Sequence, residues 1–251
     1  MNILLTNDDG IKAVGLRALA AAAVRHGHRV FISAPEHQQS AASQRITLNA
    51  PLMVDSRSDY ENAEAWAIDG TPTDCVRLGF ELSDAPIDVC ISGINDGENA
   101  GSATFYSGTV SAAREAAMHG VPAFAVSIMP GATTEMLDAL AEIAIKMAET
   151  ARLDRFPRLS VVSLNAPATD PGQWKEPVYC PLSRAFYRDR YEHRQSPRGR
   201  HYFWLNNGLP MEEPEPGSDY DLLRRGCLTI TVIGGYEELN DQASGFLSSG
   251  F

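Results

Sequence analysis

The tightest constraint on the fold is a repeated switch between two hydrophobic periods. Ile3-Leu4-Leu5 is a short unbroken apolar run that stops at Asn7-Asp8-Asp9-Gly10. Leu16, Leu19, Ala20, Ala23 and Val24 then fall on one face of a helix, and Gly27 stands where a C-terminal cap belongs. Val30-Phe31-Ile32 gives a second run, ending at Ala34-Pro35. An unbroken apolar run leaves no face for solvent, so it reads as a strand covered on both sides, and strand, amphipathic helix and strand make a βαβ unit. The alternation returns with Asp88-Val89-Cys90-Ile91, a helix across Val110 to His119, Phe124 to Ile128, a helix from about Glu135 to Ala148, and Leu159 to Leu164. The expected class is α/β: a Rossmann-like, mostly parallel sheet with helices on both faces, plus an extended C-terminal arm.

Between the two halves, Thr47 to Val54 and Ala65 to Ile68 read as an inserted pair of strands, and Thr71-Pro72-Thr73-Asp74 as the start of a short helix. The 251 residues divide into a catalytic core over 1–166, an arm over 167–226 and a C-terminal strand and helix over 227–251. The arm shows neither period and is expected to form a hairpin that serves self-association. In it, six arginines (Arg184, Arg188, Arg190, Arg194, Arg198 and Arg200) face only Asp189 and Glu192, a net +4 interleaved with Tyr191, Tyr202, Phe203 and Trp204. A solvated surface explains such a stretch as well as an inter-subunit arm or a patch that steers anions. Leu228 to Ile233 is the last strand, and Glu237 to Leu247 the last helix.

Charge narrows the function. Lys plus Arg is 21 against 32 for Asp plus Glu, a net charge of −11 that repels phosphate backbones, so no stable nucleic-acid partner is expected. The four cysteines lack metal-ligand spacing and read as reduced core thiols. No apolar run approaches the roughly 18 residues of a membrane span, and Met1-Asn2 lacks the basic start of a leader, so the expected compartment is the cytoplasm with no membrane partner.

The chemistry is expected where strands end, because in doubly wound sheets the C-terminal strand ends form the ligand crevice. Asp8 and Asp9 at the end of the first strand would raise each other's pKa, and keeping both ionised calls for a hard divalent cation. Turn-forming chemistry explains Asn-Asp-Asp-Gly equally well, and the tetrapeptide alone leaves both readings open. The loop Ser92 to Asn99 offers Asn95 or Asn99 as a neutral oxygen donor. Tyr106-Ser107-Gly108-Thr109-Val110 opens a helix, where exposed N–H groups suit a phosphate, although an ordinary cap explains an isolated match.

Five ordered motifs carry a family resemblance: Asn7 to Gly10, Pro35 to Ser40, Gly70 to Cys75, Ser92 to Asn99 and Tyr106 to Ala113. Together they resemble the SurE survival-protein phosphatases. That resemblance implies one divalent cation per subunit, Mg2+ or Mn2+, held by Asp8, Asp9, Ser40 and Asn95, with Asp8 and Asp9 also catalytic. It implies a phosphate surrounded by Asn99, Ser107, Gly108 and Thr109, with Asn7 and Gly10 in the same pocket. The implied activity is hydrolysis of nucleoside monophosphates, chiefly as a 5'-nucleotidase, with 3'-nucleotides and polyphosphate as further substrates and a homodimer or homotetramer as the assembly. The chain departs from the family pattern at Val14, Ala41, Ala116, Ser196 and in the C-terminal strand, and Ala41 follows the metal-site serine where glycine is usual.

Competing phosphate chemistries fit poorly. No D-x-D follows the first strand, and no P-loop is available to any of the three lysines, Lys12, Lys146 and Lys175. A receiver domain with Asp55 as phosphoacceptor would need a lysine after its fifth strand, and none lies between Lys12 and Lys146. A non-catalytic metal or nucleotide sensor is the remaining alternative.

Overall fold

The computed structural model describes residues 1–186, 189–206 and 212–234. Its centre is a nine-stranded sheet. β1 (Asn2–Thr6), β2 (Arg29–Pro35), β4 (Ala63–Ile68), β5 (Val89–Asp96), β6 (Ala123–Ile128) and β7 (Val161–Ala166) form its parallel body in the order β4-β2-β1-β5-β6-β7. β3 (Val54–Arg57) adds antiparallel to β4 at one edge; β11 (Cys227–Ile233) adds antiparallel to β7 at the other, with β8 (Lys175–Tyr179) parallel to β11 outside it.

The apolar strand runs explain the two-sided covering. On β1, Ile3 and Leu5 join one core with Leu16 and Leu19 of α1 (Val14–Arg25) and Leu140 and Ile145 of α4 (Thr134–Thr150). Leu4 points the opposite way, into a second core with Phe31, Val76 of α2 (Pro72–Leu82) and Val110 and Ala113 of α3 (Gly108–Met118). Successive strand residues alternate faces, so three consecutive apolar residues serve two cores.

The chain winds from β1 through β2 to β4 in one direction, then returns to place β5 on the other side of β1 before continuing to β6 and β7. The carboxyl ends of β1 and β5 therefore diverge at a topological switch point, where an α/β sheet opens a crevice.

Two expectations need correction. The residues from 47 to 53 form no strand: the Asp74 carboxylate takes the Thr47 N–H at 2.9 Å and its hydroxyl at 2.7 Å, so the chain is tied to the start of α2 instead. β4 is not part of an insertion but a parallel neighbour of β2, in register from Val30–Ala63 to Pro35–Ile68. Within 167–226, β8 belongs to the main sheet, β9 (Arg190–Gln195) and β10 (His201–Asn206) form a separate hairpin, and α5 (Asp219–Arg224) buries Tyr220 and Leu223. Hairpin residues are exposed throughout, which is why no buried period marks them. The helix expected over 237–247 and residues Tyr187 and Arg188 lie outside the described residues.

Leu4 is fully buried and its methyls fill the space beside Gly79 of α2. Leu4→Ala should lower the unfolding free energy by about 2–5 kcal/mol in a urea titration. A loss below ~1 kcal/mol would contradict the packing described for this face.

Candidate active site

A cavity of about 430 Å³ opens at the switch point, lined by Asp8, Asp9, Gln38, Ser40, Ala41, Asn95, Asp96, Asn99, Ser102, Ala103, Tyr106, Ser107, Phe186 and Asp189. These residues come from the ends of β1, β2 and β5, the start of α3 and the arm. Their convergence follows from short backbone ties between loops. Gln39 N–H donates to the Asp8 carbonyl at 2.7 Å, and Ile11 N–H to the Pro35 carbonyl at 2.7 Å, so the turn after β1 and the loop after β2 are strapped together. That strap carries Ser40 to the acidic pair.

Asp8 and Asp9 sit where β1 breaks. The Asn7 side chain closes the break: its amide nitrogen donates to the Gly10 carbonyl at 3.0 Å and its oxygen accepts the Gly10 N–H at 3.1 Å. Gly10 has φ +100°, a conformation that disfavours a Cβ. Asn7 and Gly10 therefore shape the turn that presents the acidic pair to the cavity.

Burial of Asp8 raises its pKa to about 6, with the Asp9 charge adding to the rise and the Thr109 hydroxyl opposing it. Thr109 donates that hydroxyl to Asp8 Oδ1 and is itself fully buried. Its side chain positions Asp8. Gly108 makes the close approach possible, because a Cβ there would lie 2.7 Å from Asp8 Cβ and 2.8 Å from Oδ2. Asp9 is also raised, chiefly by burial, and is held by Gln38 Nε2 at 3.2 Å and the Asp96 N–H at 3.2 Å.

Asn95 donates its amide nitrogen to the Gly97 carbonyl at 2.6 Å, which leaves the amide oxygen as the end available to a cation. Asn99 is fixed on both sides: its N–H donates to Asn165 Oδ1 at 2.8 Å and its Nδ2 to Ser127 Oγ at 2.9 Å. The Ser107 hydroxyl accepts the Val110 N–H at 3.0 Å, the ordinary capping role, while the residue also borders the cavity. Asp55 lies exposed on β3 at the sheet edge, away from these residues.

Several contributors escaped sequence reasoning. Asp96 continues the β5 motif but carried no distinguishing signal, and Phe186 and Asp189 arrive from the aperiodic arm. The arm is anchored by Asp219, whose buried carboxylate accepts the Gly101 and Ser183 N–H groups, each at 2.8 Å. No local pattern links residues 101, 183 and 219.

The donors fit a hard cation. Asp8, Asp9, Ser40 and Asn95 offer only oxygen at the cavity wall, and the two adjacent carboxylates are both pushed up by burial, so a cation relieves the cost of ionising them. Ala41 follows Ser40 at φ 56°, a left-handed backbone that explains why glycine suits this place.

The Survival protein SurE family model matches residues 3–189. The 5'-nucleotidase SurE of Maridesulfovibrio salexigens is 43% identical over 237 residues, covering 93% of this chain and 92% of that one. The protein of the same name from Nitratidesulfovibrio vulgaris is 44% identical over 235 residues, covering 93% and 86%. The crystal structure of the SurE protein from Aquifex aeolicus superposes with a TM-score of 0.80 at 26% identity, covering 98% of both chains.

A left-handed residue with a Cβ costs roughly 1 kcal/mol, partly offset by the extra unfolded-state freedom of glycine. Ala41→Gly should therefore leave the melting temperature unchanged or raise it by about 2–4 °C. A fall in calorimetric Tm would contradict strain at this loop.

Proposed function

The chain belongs to the family of the survival protein SurE, and on that premise we propose that it acts as a divalent-metal-dependent 5'-nucleotidase, releasing phosphate from nucleoside monophosphates. One observation carries the proposal. Asp8, Asp9, Asp96 and Asp189 line the cavity, and no Lys, Arg or His is among its described lining residues. An anionic phosphate enters such a cavity only beside a cation that outweighs the carboxylates.

Asp8, Asp9, Ser40 and Asn95 are the residues that would hold this cation, Mg2+ or Mn2+, one per subunit. Bound there, it supplies charge that polarises a phosphoryl oxygen and lowers the pKa of water. The protein does the rest by placement. Thr109 keeps one Asp8 oxygen fixed, and Gly108 lets the start of α3 approach that carboxylate. The N–H groups at that helix start, around Ser107, Gly108 and Thr109, face developing negative charge on the phosphoryl group. Asn99 borders the same space, locked by Asn165 and Ser127. Asp9, which Gln38 and the Asp96 N–H hold, would take the proton of the attacking water. Tyr106 and Phe186, 66% and 51% exposed, give the cavity an aromatic margin suited to a nucleobase.

The hairpin β9–β10 is the proposed self-association element, in keeping with a homodimer or homotetramer. Tyr191, Phe203 and Trp204 stand exposed on it, and aromatic side chains are favoured at interfaces.

Assay of phosphate release from a panel of 5'- and 3'-mononucleotides and polyphosphate, with Mg2+, Mn2+ or neither, tests the reading. The expected result is metal-dependent release with 5'-nucleotides preferred. Asp8→Asn should lower kcat by at least ~10³-fold while leaving the circular dichroism spectrum unchanged; wild-type turnover at saturating metal would overturn the assignment. The ion competes with protons for Asp8, whose folded pKa is about 6. Above that pH the carboxylate is ionised and Mn2+ affinity is at its plateau; below it affinity should fall by up to about tenfold per unit. Calorimetric titration of Mn2+ without substrate at pH 7 and pH 5 checks this, and equal affinity at both would contradict it.

A further inference from the structure

At the amino ends of the strands, opposite the cavity, three side chains gather where α1 ends, β2 begins and α4 ends. His26 caps α1, His28 directly precedes β2, and Glu149 lies in the last turn of α4. One oxygen, Glu149 Oε1, lies 3.1 Å from His26 Nδ1 and 3.0 Å from His28 Nε2. The three donor atoms fall within 4.8 Å of one another.

Each imidazole has its other nitrogen occupied. His26 Nε2 lies 2.9 Å from Glu142 Oε2, and Glu142 in turn accepts from Arg25 at 2.7 Å. His28 Nδ1 lies 3.3 Å from the N-terminal amine. The Glu142 carboxylate behind His26 accepts its Nε2–H and turns the Nδ1 lone pair towards Glu149, the arrangement that commonly backs metal-bound histidines; beside His28 the N-terminal amine serves the same purpose in its neutral form.

The second observation is at His28. Its Nε2 is buried and makes no hydrogen bond, although a carboxylate oxygen stands 3.0 Å away. A buried ring nitrogen left without a partner beside a carboxylate oxygen is a place where a metal ion, taking the position of the ring proton, would bond both groups. Donors about 2.0–2.1 Å from a tetrahedral zinc are about 3.4 Å apart, so the two spacings to Glu149, 3.1 and 3.0 Å, would open slightly, and the imidazole nitrogens, within 4.8 Å, would close on the ion.

We propose that His26, His28 and Glu149 form a second metal site, separate from the acidic cavity, that binds a zinc-class transition-metal ion and ties the end of α1 to the end of α4. Two imidazoles and one carboxylate select such an ion over the oxygen-seeking magnesium of the cavity. The three protein ligands leave a fourth position for water or a further group. Its effect is structural, since α1 and α4 share one face of the sheet and the site clamps their ends. The competitor is a proton on His26, which Glu142 and Glu149 together favour.

The test uses tag-free, full-length protein carrying Asp8→Asn, which disables the proposed cavity site and separates this proposal from the functional one. Calorimetric titration with ZnCl2 at pH 7.5 should give one site, and excess zinc should raise Tm by about 5 °C. Adding His28→Ala, or in a separate protein Glu149→Gln, should weaken that site at least tenfold and abolish the Tm rise, with the metal-free Tm reporting whether each variant is folded. Zinc-edge X-ray absorption on the Asp8→Asn protein should show two imidazoles in the first shell. In the protein with an intact cavity, His28→Ala should leave Mn2+-supported phosphate release unchanged. The proposal is overturned if Asp8→Asn protein takes up no zinc at 100-fold excess, if neither added substitution weakens binding tenfold, or if the absorption shell lacks the two imidazoles. Any of these would mean that His26 is a protonated bridge between two glutamates.

Discussion

Two neighbouring carboxylates forced together at the broken end of a buried strand are the constraint around which the rest of the molecule is arranged. On a regular strand Asp8 and Asp9 would point to opposite faces of the sheet; the break closed by Asn7 and Gly10 brings both to the cavity. Burial makes their charge costly, and the surroundings relieve only part of that cost. Thr109, Gln38 and the Asp96 N–H supply hydrogen bonds, yet both carboxyl groups remain above the ordinary range. A cation is the natural completion of this arrangement, and a phosphate monoester is a natural ligand for the cation.

The fold supplies the geometry at little cost. A parallel sheet that winds outward in two directions leaves its crevice between β1 and β5, and their carboxyl ends carry Asp8, Asp9 and Asn95. The β2 loop is strapped to the β1 turn, so Ser40 stays with the acids, and α3 begins against Asp8 because residue 108 has no side chain. The arm closes the outer wall through Phe186 and Asp189, with Asp219 holding its root to the 101–105 turn. Opposite this crevice, the amino ends of the strands gather the histidines of a separate cluster, so the two ends of the strands carry different donor chemistry.

Much of this was legible in the sequence where burial leaves a period. The runs at Ile3–Leu5, Val30–Ile32, Val89–Ile91 and Phe124–Ile128 all became parallel strands, and their helices followed from the 3.6-residue spacing. The acidic pair and the loops that meet it were legible as ordered motifs. Pairing was not: β4 lies beside β2 across a long separation, and nothing local distinguishes that partner from a short hairpin with 47–54. β8, β9 and β10 are largely exposed, so packing imposed no pattern on them. The roles of Asn7 and Thr109 were not legible in the sequence for a chemical reason. An amide or hydroxyl that can bind phosphate can equally close a turn or brace a carboxylate, and only the three-dimensional partner, Gly10 or Asp8, decides which.

The central claim is that Asp8 and Asp9 share one cation at the end of β1. Crystals grown in manganese and measured at a wavelength where manganese scatters anomalously test it most directly. The account predicts one strong anomalous peak per subunit bounded by Asp8, Asp9, Ser40 and Asn95. A featureless anomalous map at that position, with the two carboxylates directed apart, would contradict it.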